Sequence, residues 1–580
     1  MKKIIAMVLA FALSLSCFAV AGAEETEKAD LVITNAVVYT MVSEGDTAEA
    51  VAIKDGVIVY VGDNAGAEAF IGEGTHVRDA VGQMILPGFI DGHTHTVQNS
   101  IQKKAVVYLN ETPADLELYK EALTAFVESH PDDEVIYGTG LDLNAFPDSK
   151  PSNDWIEEIC PDKIVKISDM SIHGALLSKK AMEVCGIDET TEPPMNGIIY
   201  KNDDGSLTGY FSDAGALFGN IPPQQFEDEQ FSDAMKEYIA ECSAYGITGI
   251  NTGGNELDPN RERRIISEMA ENGDLNVRIN LAQFAGKPFD LAEAEKQIAV
   301  LNEGQQYNSD FLNSTQVKAT FDGVPEAMTV AVLEPFAETA GMPEDYLGPE
   351  LTPQDDLNAF VSAINAAGYQ VNVHAMGDAS VRGALDAYEY SIDENGEGDY
   401  RNIITHLNLV KEEDAKRLGD MKVFAAMQPI WWYYDPIFSP LEVNSLGEER
   451  FATEYRIADL LSYGIEITGS VDYPVTLDFR PLAGIQVAAT QDSPYPGEAG
   501  TGEFLRNADQ AVSVYEAVKM YTVNGAEQMK MDDKIGTVEV GKKADLVILG
   551  TDIMTCELTE IADTEVVATI SDGRIVYEAE

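Results

Sequence analysis

Residues 87–95 read PGFIDGHTH and place two histidines, one residue apart, at the end of an apolar stretch. The apolar residues at 84–86 and the pair Phe89-Ile90 predict a buried strand. Because side chains alternate between the two faces of a strand, His93 and His95 project to the same side. Imidazole is the commonest metal ligand, so this strand end predicts a metal site. A pair of exposed loop histidines is the alternative.

The composition is that of a globular protein. The 580 residues are 45% hydrophobic and 24% charged. Acidic residues outnumber basic ones by 99 to 38, which gives a net charge of −61. An acidic surface disfavours nucleic acid and anionic membranes as partners and leaves a small-molecule substrate as the expected one. We interpret the charge as a solubility feature, because no long acidic block occurs. A homodimer is one assembly that the sequence allows.

The first 23 residues predict a secretory signal peptide. Lys2-Lys3 precede the apolar run 4–20, and the small residues at 21–23 favour cleavage after Ala23. We therefore expect a secreted, extracytoplasmic protein. Lipidation at Cys17 is the less favoured alternative, because this cysteine lies deep in the apolar run. No second apolar stretch of about 20 residues follows, so we expect no stable membrane span.

The two ends of the chain share short strand-like motifs. The sequence ADLVI occurs at 29–33 and again at 544–548, where the strand-like run 571–577 follows. Between the β-branched runs near the N-terminus, Lys54-Asp55-Gly56 predicts a hairpin turn. We expect these segments to pair into one small sheet domain that brings the ends together. Coincidence between β-rich hairpins is the alternative.

Between these ends, strands and helices alternate. One helix is predicted from Thr352-Pro353 to Gly368, and a similar one from Ser232 to near Gly246. With the strand at His93, the apolar strands number eight, the others being 246–250, 277–281, 316–321, 370–374, 403–406, 423–427 and 465–469. Eight repeated βα units predict an α/β protein with a (β/α)8 TIM barrel, whose active site lies at the C-terminal ends of the strands.

One region is too long for a single crossover. Residues from about 100 to 230 contain the strand-like run 164–168, and we interpret them as an insertion after barrel strand 1 that folds over the site. The predicted divisions are a signal peptide at 1–23, an N-terminal β part at 24–85, the barrel with its insertion at 86–535 and a C-terminal β part at 536–580.

Further polar residues lie at the ends of predicted strands. His374 and His406 each end an apolar run, about one βα unit apart, and Asp472 follows the last strand. Lys318 lies inside an apolar strand, where a bare ammonium group is costly. Burial lowers the pKa of a lysine, and a neutral amine can add carbon dioxide to become a carbamate that bridges two metal ions.

Eight stretches, in order along the chain, read LPGFIDGHTH, VKATFDG, VNVHAMGD, ITHLNLV, MQP, GSVDYPV, AVKMYTVNGA and IGTVEVGKKADLVIL. Together they resemble the amidohydrolase superfamily, and within it the amidohydrolase-3 group and its YtcJ-like branch, from about residue 29 to the C-terminus. The resemblance implies a composite β-sandwich built from both termini and a binuclear metal site with an N6-carboxylated lysine. The ligands it implies are His93, His95, Lys318, His374, His406 and Asp472.

The resemblance also implies a histidine in the insertion that reaches the substrate, here His173. From the residues alone, a loop histidine with satisfied hydrogen bonds is the better interpretation of this position. Trp431 and Trp432, directly after Gln428-Pro429, are predicted to line an aromatic substrate pocket. Packing of a loop onto the barrel rim is an equally good interpretation of these rings.

These features predict a metal-dependent hydrolase. One or two divalent ions, with Zn²⁺ favoured by imidazole and carboxylate ligands, lower the pKa of bound water to about 7 and supply hydroxide. A second metal or His173 would polarise the carbonyl, and Asp472 would move the proton to the leaving amine. We expect a secreted enzyme that hydrolyses an amide-like, N-acyl or N-formyl C–N bond, other than a peptide bond, of a small molecule.

Two alternatives remain. The same metal site could serve an esterase, a lactonase or a cyclic amidase, or the chain could be a non-catalytic binding protein on a decayed barrel. The sequence departs from the usual family wording after the lysine strand, at 324–328, and after His406, where Leu407-Asn408 follow. Both departures lie near the expected substrate, so the resemblance implies no particular substrate.

Overall fold

A computed structural model describes residues 27–579 apart from 96–104, 111, 171–173, 195–196, 213, 224–225 and 255–257. The predicted signal peptide and His173 lie outside the described residues. Within the described ranges, every helix is too short or too polar to cross a membrane.

The central part of the chain alternates strands with helices, as predicted. We number its main strands β1 (Phe89–Thr94), β2 (Ile247–Thr252), β3 (Arg278–Asn280), β4 (Gln316–Thr320), β5 (Gln370–Ala375), β6 (Ile403–His406), β7 (Phe424–Met427) and β8 (Ile467–Gly469). The helices from β1 onward are Leu116–Ser129, Asp154–Ile159, Lys179–Cys185, Asp228–Ala244, Pro259–Glu271, Leu291–Gly304, Gln354–Ala366, Asp378–Asn395, Glu412–Asp420, Ser439–Leu446, Glu448–Phe451, Ile457–Ser462, Pro481–Thr490, Val514–Met520 and Val523–Gln528.

These strands are parallel and pair in sequence order. β2 pairs with β1 and β3, and β4 to β8 form an unbroken series of pairs. Two short strands end these runs: Leu312–Asn313 pairs with β3, and Gln283–Phe284 pairs with β4. Between them, Leu281 N donates to Asn313 O at 2.8 Å. Asp472 N donates to His93 O at 3.2 Å, so the chain after β8 lies against β1.

Two helices show where local sequence sets the boundaries. The helix predicted from Ser232 begins at Asp228, because the side chains of Glu227 and Gln230 form a capping box with its first turn. The helix predicted between 352 and 368 spans Gln354–Ala366 and buries the apolar face that the spacing indicated.

A belt of polar side chains, mostly amides, links neighbouring parallel strands. Asn251 Oδ1 accepts from Asn280 Nδ2 at 2.8 Å and from Gln316 Nε2 at 2.7 Å. Gln316 Oε1 accepts from Asn372 Nδ2 at 3.1 Å, and Asn372 Oδ1 accepts from Thr405 Oγ1 at 2.7 Å. Buried polar groups are costly unless they are hydrogen-bonded, so this belt fixes the relative heights of β2 to β6.

Segments from the two ends of the described chain share one sheet. Its order is Arg574–Glu578, Val566–Ser571, Leu546–Leu549, Met84–Pro87, Val37–Tyr39 and Thr47–Ala48. A second sheet has the order Val57–Gly62, Ala50–Lys54, Leu31–Thr34 and His76–Asp79. Apolar side chains of both sheets, among them Ile33, Ile85 and Ile570, form one buried cluster.

The stretch between β1 and β2 contains a sheet of its own. The order of its strands is Ile198–Lys201, Leu207–Ser212, Gly174–Leu177, Ile164–Asp169, Val135–Leu141 and Val107–Tyr108. Tyr119, Ile136 and Val165 belong to a separate buried cluster on this sheet. This stretch therefore packs a core independent of the parallel strands.

A buried ion pair ties the C-terminal segment to β3. The Arg278 side chain is 0% exposed, and its Nε and Nη2 donate to the two carboxylate oxygens of Asp545 at 2.6 and 3.0 Å. Arg278 Nη2 also lies 3.2 Å from Asp572 Oδ1. The guanidinium thus bridges the parallel strands and the terminal sheet.

We expect Arg278→Ala to lower the free energy of unfolding by about 3–5 kcal/mol, because it leaves the buried Asp545 carboxylate without its cation. Urea denaturation followed by circular dichroism measures the loss. The control is Lys534→Ala, whose ion pair with Asp310 joins side chains that are 40% and 48% exposed. That variant should lose less than about 1 kcal/mol. Equal losses from the two variants would contradict the assignment.

Candidate metal centre

The residues predicted as metal ligands come together at the C-terminal ends of the parallel strands. His93 Nε2 and His95 Nε2, on and just after β1, each lie 3.3 Å from Asp472 Oδ1, which follows β8. Lys318 Nζ, on β4, lies 3.3 Å from His93 Nε2. These four residues come from three elements that are far apart in sequence.

His374 and His406 complete the group. Their ring centroids are 4.4 Å apart, and the ring of His406 lies 5.5 Å from that of His93. His374 stands on β5 two residues after Asn372, and Lys318 stands on β4 two residues after Gln316. The period of two along a strand therefore places both directly above the amide belt.

Two of these residues have unusual backbone conformations. His406 has φ +83° and Asp472 has φ +58°, in the left-handed region that non-glycine residues rarely adopt. Each such residue costs on the order of 1–3 kcal/mol and persists only where the surroundings impose it. Both lie where a strand ends and the chain turns, and the turn directs each side chain toward the shared centre.

Burial keeps the basic groups neutral. Burial, aided by the nearby Lys318, lowers the pKa of His93 to about 3 and that of His374 to about 4. Burial lowers the pKa of Lys318, which is 2% exposed, to about 7. Neutral imidazole is the form that binds metal ions, so the site presents lone pairs rather than cations.

The atoms fit a divalent ion. One donor atom from each of His93, His95 and Asp472 can be chosen so that all three lie within 4.8 Å of one another. Two ligands on a tetrahedral zinc ion lie about 3.3 Å apart, given bonds of about 2.0–2.1 Å. Among the described residues, Asp472 Oδ1 is buried without a hydrogen-bond partner, although two imidazole nitrogens lie 3.3 Å away. A cation would offset the cost of burying such groups.

Gln428 orients one of the predicted ligands, His406, a role that the sequence did not reveal. Its Oε1 lies 2.8 Å from His406 Nδ1, and its Nε2 donates to Ser470 Oγ at 2.8 Å. Ser470 Oγ in turn donates to Met427 O at 3.0 Å. Because the amide oxygen only accepts, Nδ1 of His406 carries the proton and Nε2 is left for a metal.

Asp322 is a second residue beside the centre that the sequence did not single out. Its carboxylate accepts from the backbone N–H groups of Met376 and Gly377 and from Ser380 Oγ, at 2.6–3.1 Å. It thereby ties the loop after β4 to the loop that follows His374. The sequence signal for this residue is a carboxylate that directly follows the predicted strand carrying Lys318.

A cavity of about 430 Å³ opens onto the centre and is lined by His95, His374, His406 and Asp472 among other residues. Trp431 lines this cavity, and its ring stacks on His406 with 5.6 Å between centroids. Trp432 does not, which corrects the prediction for that residue. Its side chain is 0% exposed and lies in the apolar core, because consecutive residues of the short helix Pro429–Trp431 and its cap point in different directions.

The parallel α/β fold and this histidine-rich centre define a metal-dependent hydrolase. Residues 76–577 match the model of the amidohydrolase family (Amidohydro_3), and the chain belongs to that family. The resemblance noted in the sequence is thereby confirmed. Amidohydrolases act on carbon–nitrogen bonds and imply a divalent metal, so this protein is a metal-dependent enzyme of that class.

The chain is similar to three relatives over nearly its whole length. Protein LONG AFTER FAR-RED 3 of Arabidopsis thaliana is 27% identical over 95% of this chain and 92% of its own. The putative amidohydrolase YtcJ of Bacillus subtilis is 26% identical, over 93% and 98%. The N-substituted formamide deformylase of Arthrobacter pascens is 21% identical, over 95% and 99%.

The fold of this chain is also similar to that of a solved structure. An uncharacterized metal-dependent hydrolase from Pyrococcus horikoshii superposes with a TM-score of 0.71 at 21% identity. The match covers 91% of this chain and 99% of that one.

We expect Gln428→Leu to weaken Zn²⁺ binding about 10–100-fold, because His406 loses the acceptor that fixes its tautomer. Competition with a chromophoric chelator measures the affinity. Gln428→Glu keeps an acceptor at the same place and serves as the control, which should retain the affinity of the natural protein. Unchanged affinity in Gln428→Leu would show that the amide does not orient the ligand.

Proposed function

We propose that this protein hydrolyses an amide-like, N-acyl or N-formyl carbon–nitrogen bond of a small molecule. The observation that carries the proposal is the convergence of six side chains suited to metal binding, four of which, those of His95, His374, His406 and Asp472, line a cavity of about 430 Å³. That volume lies within the range of small-molecule sites. The similarity to an N-substituted formamide deformylase over 95% of the chain supports the N-formyl class in particular.

We also propose that β1 to β8 close into a (β/α)8 barrel within 86–535. The terminal parts, 24–85 and 536–580, would form one composite β-sandwich, and residues from about 100 to 230 would be an insertion that covers the site. The hydrogen bonds between β1 and the chain after β8 support closure, and the sheet shared by both ends supports the composite domain.

The ligands would be His93, His95, His374, His406, Asp472 and a carboxylated Lys318. A divalent ion held there, most simply Zn²⁺, would polarise the scissile carbonyl and lower the pKa of water to about 7.

Lys318 would supply an anion that the centre otherwise lacks. Apart from Lys318, the predicted ligands are four imidazoles and one carboxylate, which would bring a single negative charge to two divalent ions. The neutral Nζ can attack the carbon of CO₂ and release one proton to solvent, which yields a carbamate with a second negative charge. The position of Nζ beside His93, away from solvent, favours this product.

Asp472 would move the proton. Its Oδ1 faces His93 and His95 and has no hydrogen-bond donor among the described residues, so it can accept a proton from the attacking water. It would then deliver the proton to the leaving amine, which is a poor leaving group until protonated. His173 would contact the substrate from the insertion.

The N-terminal sequence supports secretion after cleavage at Ala23. The acidic surface agrees with a small-molecule substrate rather than a nucleic acid.

A matched pair of an N-alkylformamide and the corresponding alkyl formate tests the bond that is cleaved. We expect metal-dependent turnover of the amide, lost on chelation and restored by Zn²⁺, because the proton relay through Asp472 serves an amine leaving group. Release of formate measures both reactions. Turnover of the ester alone would make the protein an esterase, and tight binding without turnover of either would make it a binding protein.

We expect Lys318→Ala to lose part of its bound metal and to fall at least about 100-fold in activity, a larger loss than that from an outer-shell partner. Acetate should restore some activity, because a free carboxylate fits the space left by the carbamate, whereas the neutral isostere acetamide should not. Metal content and kcat are the readouts. Unchanged metal stoichiometry and activity in the variant would exclude a bridging carbamate.

A further inference from the structure

We call the predicted metal ligands, His93, His95, Lys318, His374, His406 and Asp472, the ligand cluster. The cavity beside this cluster also has a charged wall, formed by Glu442 and Arg506. Both side chains line the cavity, and Arg506 is only 3% exposed. Arg506 Nη2 lies 3.6 Å from Glu442 Oε2, close enough for attraction between the charges but too far for a hydrogen bond. Neither residue belongs to the ligand cluster.

The charge of Arg506 is already balanced from behind the wall. Its Nη2 donates to Glu454, whose side chain is fully buried. The guanidinium also lies 3.9 Å from the ring centroid of Phe451 and 4.9 Å from that of Tyr455. These contacts fix the guanidinium and place its counter-ion away from the cavity.

The single guanidinium of Arg506 therefore lies near two carboxylates, that of Glu454 and that of Glu442. Among the described residues, no donor makes a hydrogen bond to the Glu442 carboxylate, and Arg506 at 3.6 Å is its nearest cation. Burial raises the pKa of Glu442 to about 7, an effect that Arg506 opposes. A buried carboxylate on a cavity surface gains most from a cation that enters that cavity.

The rest of the wall adds negative rather than positive charge. Glu326 and Asp435 also line the cavity. The Asp435 carboxylate already accepts hydrogen bonds from the backbone N–H groups of Ile437 and Phe438, at 2.7 and 2.9 Å. The cavity surface thus holds more carboxylates than guanidinium groups, besides the ligand cluster.

We propose that the end of the substrate remote from the scissile bond carries a cationic group, a primary ammonium or an amidinium, which binds Glu442. The inference rests on the proposed function, because the carbonyl must reach the ligand cluster in the same cavity. A carboxylate at this place would face Glu442 and Glu326 across a medium of low dielectric, where repulsion is strong. The substrate class is then an N-acyl or N-formyl derivative of a diamine or another basic amine.

The test compares mono-N-formyl-α,ω-diaminoalkanes of three to six methylenes with N-formylalkylamines in which a methyl group replaces the ammonium. For the metal-loaded mature protein we expect the best ammonium substrate to exceed its methyl counterpart at least about tenfold in kcat/KM. Glu442→Gln should abolish this ratio, chiefly through a higher KM for the ammonium substrate. Glu442→Asp, which keeps the charge, should retain part of it.

The matched control is Glu449→Gln, which removes the same charge from an exposed position on the helix Glu448–Phe451 and should leave the ratio unchanged. An equal ratio for Glu442→Gln and the natural protein would overturn the inference. A preference for ω-formamido carboxylates would also overturn it, since Arg506 would then bind an anion.

Binding of unformylated α,ω-diaminoalkanes to the metal-free protein, measured by calorimetry, separates the two proposals. Diamine binding that exceeds alkylamine binding and is lost in Glu442→Gln supports the cation site even if no formamide is hydrolysed, in which case only the proposed function fails. Formamide hydrolysis without any preference for the cation leaves the proposed function intact and excludes the cation site.

Discussion

The structure depends on one constraint: several polar side chains are buried close together at the C-terminal ends of the parallel strands. Asp472 Oδ1 has no hydrogen-bond partner among the described residues, and Lys318 Nζ lies beside an imidazole instead of a carboxylate. Unpaired groups of this kind cost several kcal/mol when buried. The arrangement makes physical sense as a site whose partner is a cation, and the surrounding fold keeps these groups in place.

The fold meets this constraint with rigid strands below the centre and turns above it. The amide belt holds neighbouring strands in register, so that the side chains of Lys318 and His374 both lie directly above the belt. The chain directly after β2 can pass close to the two histidines because residue 253 is glycine. A Cβ added there would lie 2.7 Å from His95 Cε1 and 2.8 Å from His93 Cε1. A larger residue there would displace both histidines.

Much of this could be predicted from sequence, because the signals are local. Each of the eight strands is an apolar run, and each predicted ligand lies within or directly after one of them. The break between β3 and Gln283–Phe284 was missed, because it arises where the strand exchanges one pairing partner for another. Trp432 was misplaced because the side on which a ring packs is decided by tertiary contacts.

Other features depend on residues brought together only by folding. The tautomer of His406 is set by Gln428, and the charge of Glu442 matters only because Arg506 is committed to Glu454. In sequence, Glu442 is one acidic residue among 99. Nothing local distinguishes it from those that keep the surface acidic.

Anomalous diffraction at the zinc absorption edge, from crystals of the purified mature protein, tests the central claim most directly. The account predicts a strong peak within about 2.0–2.2 Å of ligand atoms from His93, His95 and Asp472. A metal-loaded crystal with its peak elsewhere, or with these side chains satisfied by water alone, would contradict it.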